Sequence, residues 1–448
     1  MPNHIVINKK IINFKKKIEV SSDKSLSIRC VLLASQAVGI SRISNLLESE
    51  DVLNALKAIK KLGINYQKIN GVYKIFGFGL NGFNTKKNIL INAGNSGTLA
   101  RLILGLLVKS DKKIKLIGDR SLSKRDFSRI ANPLSFFGAK IKCNKNTLPV
   151  EIQGTNFLRP INYIEDKGSA QCKSAIILAA LNTPGITKIK AKKSRNHTEL
   201  LLKHLNVPIK IKSKSENDLI EVKGLSQYKS FNYNLPGDIS SSAFFIVLAL
   251  LSNNSELKIN KVNINKSRIG VVKILNEMGA KIKFQNKKNY KGEIIADIHV
   301  KSIQKIKSIN CPKSLNSSAI DEFLIIFLVA AKAKGISTFK NLGELNKKES
   351  PRLDIAVKFL KMIGIKVVRN KNDIKIYGNP KLTLKGNYVV KDFFKDHRVF
   401  MMSCIAALTF GGNWKINNKD SINSSFPKFL NILRNLGAKL NWKIIKNL

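Results

Sequence analysis

Cysteine is scarce in this chain, and so are arginine, acidic residues and long apolar runs. The five cysteines, Cys30, Cys143, Cys172, Cys311 and Cys404, are scattered and form no CxxC pair. That pattern excludes a disulfide framework and the common zinc spacings, and it predicts reduced, buried thiols in a cytoplasmic protein. The longest apolar stretches, such as Phe244–Leu251, fall far short of a bilayer span, and the mean hydropathy is -0.08. Met1–Lys10 alternates polar and apolar residues and has no continuous apolar signal core. Acidic residues number 29 against 79 basic ones, which leaves a formal net charge of +50. Only 13 of the basic residues are arginine.

Such a charge invites a nucleic-acid reading, because polybasic surfaces bind phosphate backbones through counterion release. The lysines, however, run along the whole chain and gather in no tail, and aromatics make up 7%. Asn and Ile are abundant too, and Lys, Asn and Ile share A/T-rich codons. Compositional drift explains the charge better than a dedicated nucleic-acid surface, so no specific nucleic-acid partner is expected. The charge would still draw in small polyanions.

At 448 residues the chain should hold two or more domains. An internal repeat decides how they are built. An amphipathic helix that ends at a small residue and runs into a β-type segment recurs six times. The copies are Leu56–Tyr66, Ala131–Lys142, Leu201–Lys212, Val272–Phe284, Val357–Val368 and Leu430–Trp442. Gly63, Gly138, Gly279, Gly364 and Gly437 mark five of them at roughly 70- to 85-residue spacing, while Val207-Pro208 marks the copy without a glycine. Between landmarks lie helices that are apolar nearly all round, such as SSSAFFIVLALL and DEFLIIFLVAAKAKG, and these should be buried. Three copies precede the Pro236-Gly237-Asp238 turn and three follow it. The expected architecture is α/β: two similar inside-out α/β domains, each of three repeated units with buried helices and outer sheets. Pro236-Gly237 is a natural hinge. The repeat leaves open which domain takes the first strand.

Polar residues cluster in the first turns of the apolar helices: Asp23-Lys24-Ser25 with Arg29, Asn95-Ser96-Gly97-Thr98 with Arg101, and Ser169-Ala170-Gln171 with Lys173. Lys124-Arg125, Asp321-Glu322, Lys348-Glu349 with Arg352, and Asp396-His397-Arg398 continue the pattern. Helix N-termini present free N–H groups and a positive dipole end, so several of them with Lys or Arg describe a cleft for a multiply charged anion. Taken singly, Ser25, Ser169 and Asp321 read as ordinary helix caps. Lys348-Glu349 could be a solvated helix start. Arginine is rare here, so Arg29, Arg125, Arg352 and Arg398 at helix starts are less easily read as surface decoration than a lysine would be. His397 suits orienting its neighbours more than proton transfer, and Cys172 and Cys404 suit packing.

In this order the motifs DKSLSIR (Asp23–Arg29), GNSGTLAR (Gly94–Arg101), GDRSLSKR (Gly118–Arg125), SAQCKSA (Ser169–Ala175), PGDISSSAFF (Pro236–Phe245), KESPRL (Lys348–Leu353) and DHR (Asp396–Arg398) resemble the 5-enolpyruvylshikimate-3-phosphate synthase family. The resemblance covers essentially the whole chain. SAQCKSA, LNTPG and SRNHTE look like its second sequence class, which includes glyphosate-tolerant bacterial members. The resemblance implies the enolpyruvyl transferase fold, with 23–236 as one domain and 1–22 plus 237–448 as the other, closing on substrate. The sister family acting on UDP-N-acetylglucosamine shares the fold but usually carries a reactive Cys in a mobile loop, and no Cys lies between Gly94 and Arg125.

The implied reaction moves the carboxyvinyl group of phosphoenolpyruvate onto the 5-hydroxyl of shikimate 3-phosphate, in aromatic amino-acid biosynthesis. By resemblance, Lys24, Ser25, Arg29, Ser169, Ala170, Gln171, Arg195, Asp321 and Lys348 surround shikimate 3-phosphate. Lys24, Gly97, Arg125, Gln171, Arg352 and Arg398 surround phosphoenolpyruvate. Asp321 and Glu349, with Lys24, would handle the protons. No cofactor or metal is implied, and the protein is expected to be a cytoplasmic monomer with small-molecule substrates and no membrane partner. Four positions depart from the family pattern. Ser22 replaces a Gly, Ile28 a His, Pro351 an acidic residue, and Ser424 a Lys that often binds phosphoenolpyruvate. Gly97 stands where tolerant members carry Ala, which implies sensitivity to glyphosate here.

Overall fold

The computed structural model describes residues 3–84, 89–391 and 393–441. The chain divides into two compact units: a first of Ser22–Pro236 with Asn289–Glu293, and a second holding the residues through Ser21, Gly237–Lys288, and those from Ile294 onward. The boundaries read from the sequence leave both Ser22 and Asn289–Glu293 with the second unit, whereas contact places them in the first. Asn289–Glu293 groups there because the Glu293 carboxylate meets His197 Nδ1 at 2.6 Å and the Tyr290 hydroxyl accepts from Asn234 N–H.

Each unit has three long buried helices. In the first these are Lys24–Ser35, Gly97–Leu106 and Ala170–Leu181; in the second, Ile239–Leu251, Phe323–Ala331 and His397–Phe410. Every residue of the last three helices is buried, as expected for segments that are apolar nearly all round. A second set of helices leads into the landmarks: Glu50–Lys61, Ser128–Ser135, His197–His204, Gly270–Glu277, Arg352–Met362 and Phe429–Asn435. Gly63, Gly138, Gly279, Gly364 and Gly437 all have φ between 77° and 111° just past these helices. In the third copy Asn206 takes that role at φ 58°, because Asn tolerates the left-handed region better than most residues. The sixth landmark ends at Trp442, which lies outside the described residues.

Among the described residues there are six small sheets, four of four strands and two of three. In the first unit a parallel pair is extended by two antiparallel strands: Asn162–Glu165 beside Ile186–Lys192, then Asn217–Lys223, then Ile209–Lys214. Ile186–Lys192 alternates buried Thr187, Ile189 and Ala191 with exposed lysines, the pattern of a half-buried strand. Two strands from the start of the chain complete sheets of the second unit. Lys15–Ile18 pairs parallel with Glu256–Asn263, and His4–Ile7 pairs antiparallel with Gly411–Asn417. The cysteine expectation needs one correction: Cys30, Cys172, Cys311 and Cys404 are buried, but Cys143 is half-buried because it lies on the edge strand Lys140–Asn144.

In the first unit the helices Gly97–Leu106 and Ala170–Leu181 approach so closely that a Cβ on Gly105 would lie 2.2 Å from the Ala175 carbonyl oxygen. Alanine gains about 1 kcal/mol of helix propensity over glycine. Overpacking against backbone costs about 1–3 kcal/mol or more, so the clash wins. Gly105→Ala should lower the urea midpoint of unfolding, and an unchanged midpoint would show that the helices part freely.

Candidate active site

Five of the six buried helices begin with a Ser or Asp side chain that accepts a backbone N–H: Asp23, Ser96, Ser169, Asp238 and Asp396. Ser169 is therefore a cap, as its position suggested, accepting from Cys172 N–H. Ser25 and Asp321 are not. The cap ahead of Ser25 is Asp23, and Asp321 precedes the start of its helix with its carboxylate turned to cations.

In the first unit the polar residues form two connected clusters. Gln171 joins two helix starts: its Oε1 accepts from Arg101 Nη1 at 2.7 Å, and its Nε2 donates to Thr98 Oγ1 at 3.0 Å. Arg125 donates to Asn95 Oδ1 at 2.7 Å. A Cβ on Gly97 would lie 2.7 Å from Arg101 Nη1 and 2.8 Å from Arg125 Nη1, so Gly97 lets both guanidiniums approach the helix start. Gly97, Arg125 and Gln171 thus come together, with Arg101 as a member absent from the implied site. In the second cluster Arg29 donates to Thr198, Ser174 and the Ser25 carbonyl, while Lys173 pairs with Glu199 at 2.7 Å. Lys24 Nζ lies 2.9 Å from Asp51 Oδ2. Ala170 opens its helix, and half-buried Arg195 lies in the turn before His197–His204.

In the second unit Arg352 is the hub. Its side chain is 1% exposed, with Nε 2.8 Å from Asp396 Oδ2, Nη2 2.5 Å from Glu349 Oε2, and Nη1 3.4 Å from Asp321 Oδ1. Pro351 stands at the N-cap position just before it, where a backbone N–H is not needed. Burial opposes both charges, yet the three carboxylates hold Arg352 above the ordinary guanidinium range. Burial would likewise raise Asp396, but Arg352 outweighs it and holds that carboxyl below the usual range. Asp321 also faces Lys348 Nζ at 3.3 Å, and its carbonyl accepts from Arg398 Nη1 at 3.0 Å. Asp321, Lys348, Glu349, Arg352 and Arg398 are all gathered here. His397 is buried, its Nδ1 3.5 Å from Ser424 Oγ, and Ser424 donates to the Ser421 carbonyl. Ser424 brings no cation to this position.

The sequence reading missed a supporting layer. Buried Arg268 donates to Asp238 at 3.0 Å and to Ser240 Oγ at 2.7 Å, and Ser240 in turn donates to Glu322, which lies 3.8 Å from Arg398. Only the rarity of arginine could have drawn attention to Arg268.

A family model described as EPSP synthase (3-phosphoshikimate 1-carboxyvinyltransferase) matches residues 9–433. A Ruthia magnifica subsp. Calyptogena magnifica protein named 3-phosphoshikimate 1-carboxyvinyltransferase is 38% identical over 426 residues, covering 95% of this chain and 96% of its own. One of that name from Zymomonas mobilis subsp. mobilis is 36% identical over 446 residues, 98% of each chain. Among solved structures, an EPSP synthase from Acinetobacter baumannii matches with a TM-score of 0.85 at 33% identity, covering 98% of this chain and 99% of its own. The enolpyruvyl transferase NikO from Streptomyces tendae, at a TM-score of 0.76 and 13% identity over 98% and 99% of the chains, shows the shared fold alone.

Removing the Asp396 charge leaves Arg352 buried with less compensation. Breaking a buried pair in this way costs about 3–5 kcal/mol, which urea denaturation of Asp396→Asn at pH 7 should show. The native Asp396 value lies below the unfolded one, near 3.9. Its contribution is therefore complete above about pH 4 and is lost as pH falls through the native value. The Asn variant should lack that part of the acid dependence; equal acid slopes would contradict the pairing.

Proposed function

The chain belongs to the EPSP synthase family, and from that premise we propose how its residues divide one reaction between them. The enzyme transfers the carboxyvinyl group of phosphoenolpyruvate to the 5-hydroxyl of shikimate 3-phosphate and releases phosphate, in aromatic amino-acid biosynthesis. The hydroxyl oxygen bonds to C2 of phosphoenolpyruvate as C3 gains a proton. Phosphate then leaves C2 as C3 gives a proton up.

The observation that supports the assignment is the linked set in which Asp321 meets Lys348, Arg352 and Arg398 while Arg352 also meets Glu349. Asp321 takes the hydroxyl proton, with Lys348 and Arg398 holding its carboxylate in place. Glu349 protonates C3 and later removes a proton from it. Arg398, at 9% side-chain exposure against 1% for Arg352, is the more open of the two guanidiniums, and it takes phosphoenolpyruvate with its planar fork. Arg352 contributes through Nη1, whose contact to Asp321 is the longest it makes with a carboxylate. In the first unit Gly97, Arg125 and Gln171 serve phosphoenolpyruvate. Ser25, Arg29, Ser169, Ala170, Gln171 and Arg195 serve shikimate 3-phosphate, and Lys24 serves both. Among the described residues no helix is long and apolar enough to cross a membrane. We further propose a cytoplasmic monomer, a location supported by five unpaired cysteines.

Phosphate release should occur with phosphoenolpyruvate plus shikimate 3-phosphate. Release only with UDP-N-acetylglucosamine in its place would overturn the reading. Glu349→Gln keeps shape without the acid/base group, so the chemical step should slow about 10²–10⁴-fold while both substrates still bind. Near-normal turnover would remove Glu349 from the mechanism.

Glyphosate carries charge like phosphoenolpyruvate but is longer, and with Gly97 present it should inhibit in competition with phosphoenolpyruvate. In Gly97→Ala the new methyl presses on Arg101 and Arg125 Nη1. These are ends of flexible side chains, so the fold survives while the anion site shifts. Overpacking costs about 1–3 kcal/mol, which is roughly 5- to 150-fold in glyphosate affinity; the shorter substrate should lose less. Inhibition titrations decide it: a wild type as tolerant as the variant would show that Gly97 does not set sensitivity.

A further inference from the structure

Arg29 is gripped at all three of its nitrogens. Nε donates to Thr198 Oγ1 at 2.7 Å, Nη2 to Ser174 Oγ at 3.1 Å, and Nη1 to the Ser25 carbonyl at 3.0 Å. The two hydroxyls lie 2.8 Å apart and bond to each other. They meet the Nε/Nη2 edge of the guanidinium much as two carboxylate oxygens would. A hydroxyl pair orients a cation in this way without itself adding negative charge. The next rung is ionic: Lys173 Nζ lies 2.7 Å from Glu199 Oε1, with side chains 0% and 2% exposed. Residues 173 and 174 of the Ala170–Leu181 helix thus face residues 199 and 198 of the His197–His204 helix in consecutive order. Arg29, from the Lys24–Ser35 helix, closes the set.

We infer that Ser174 and Thr198 are positioning residues for shikimate 3-phosphate: their hydroxyls set the plane of the Arg29 guanidinium, and the Lys173–Glu199 pair keeps the two hydroxyls in register. This rests on the reading that Arg29 binds an anionic group of that substrate. A planar fork recognises phosphate or carboxylate only when its plane is fixed. With Nε left unsatisfied in a buried site, Arg29 must turn or take up water. Arg29 at 4% exposure has little room for either. The effect should fall on one substrate, since the phosphoenolpyruvate arginines bond elsewhere: Arg125 to Asn95, Arg352 to Asp396 and Glu349, and Arg398 to the Asp321 carbonyl.

The test compares Thr198→Val, Thr198→Ser, Ser174→Ala and Arg29→Lys with wild type. Calorimetry gives the Kd for shikimate 3-phosphate, steady-state kinetics the KM for each substrate, and thermal unfolding the folded state. Thr198→Val keeps shape but loses the hydroxyl, so Kd and KM for shikimate 3-phosphate should rise roughly tenfold. The KM for phosphoenolpyruvate should stay near wild type, and Thr198→Ser should restore tight binding. Should Thr198→Val fail to fold, Ser174→Ala carries the same expectation. Equal losses for both substrates, or a Ser variant as weak as the Val one, would overturn the inference. So would unchanged binding in Thr198→Val and Ser174→Ala while Arg29→Lys binds poorly. Wild-type binding in Arg29→Lys would instead sink the reading of Arg29, and the inference with it.

Discussion

A guanidinium or ammonium group cannot leave water alone; it must meet carboxylates or well-aimed acceptors. Much of this protein's polar architecture follows from that constraint. Among the described residues five cations are buried, Arg29, Lys173, Arg268, Arg352 and Arg398, along with nine carboxylates, out of 79 basic and 29 acidic residues in the chain. Acidic residues are scarce, yet they are the ones drawn inside. Asp396 shows why: a single carboxylate caps a buried helix through Arg398 N–H, accepts from Ser350 and neutralises Arg352. Losing it would leave three donors to find new partners at once.

The fold was legible because its two signals are local. Apolar helices and the small residue after each landmark helix can be read within a dozen positions, and five glycines do adopt positive φ there. The third copy hid its equivalent. Asn206 does what glycine does elsewhere, but in a chain rich in asparagine it carries no signal. The tip Asn289–Glu293 was equally silent, since its grouping depends on a bond from Glu293 to His197, 96 residues away. In the site, arginines stood out because there are so few. Their partners did not. Thr198 and Ser174 reach Arg29 across 169 and 145 positions, and no spacing rule flags a hydroxyl at such range. Ser25 and Asp321 looked like caps because residue type alone cannot tell which of two neighbouring polar residues turns back to the backbone.

Most of the positive charge lies elsewhere. Strands such as Ile186–Lys192 place lysines on the exposed face and small or β-branched residues inside, so the excess charge follows from alternation across outer sheets. A field of that kind gathers anions from solution and is screened within about 8 Å at physiological salt. It cannot distinguish phosphoenolpyruvate from any other small anion. The cations whose geometry is fixed are the buried few.

Helix N-termini alone do not supply that discrimination either. Each leaves N–H groups unpaired within the helix and a positive dipole end, a general attraction for anions. Here five of six are capped by their own Ser or Asp side chain, which takes one of those donors and, where it is Asp, places a negative charge at the dipole end. Arg29, Gln171 and Arg398 leave these capped helices within the first two turns. A capped helix start is rigid, and a side chain leaving it inherits that rigidity. The cap competes with an anion for the backbone, so an anion arriving at such a helix start would be left to the side chains beside it.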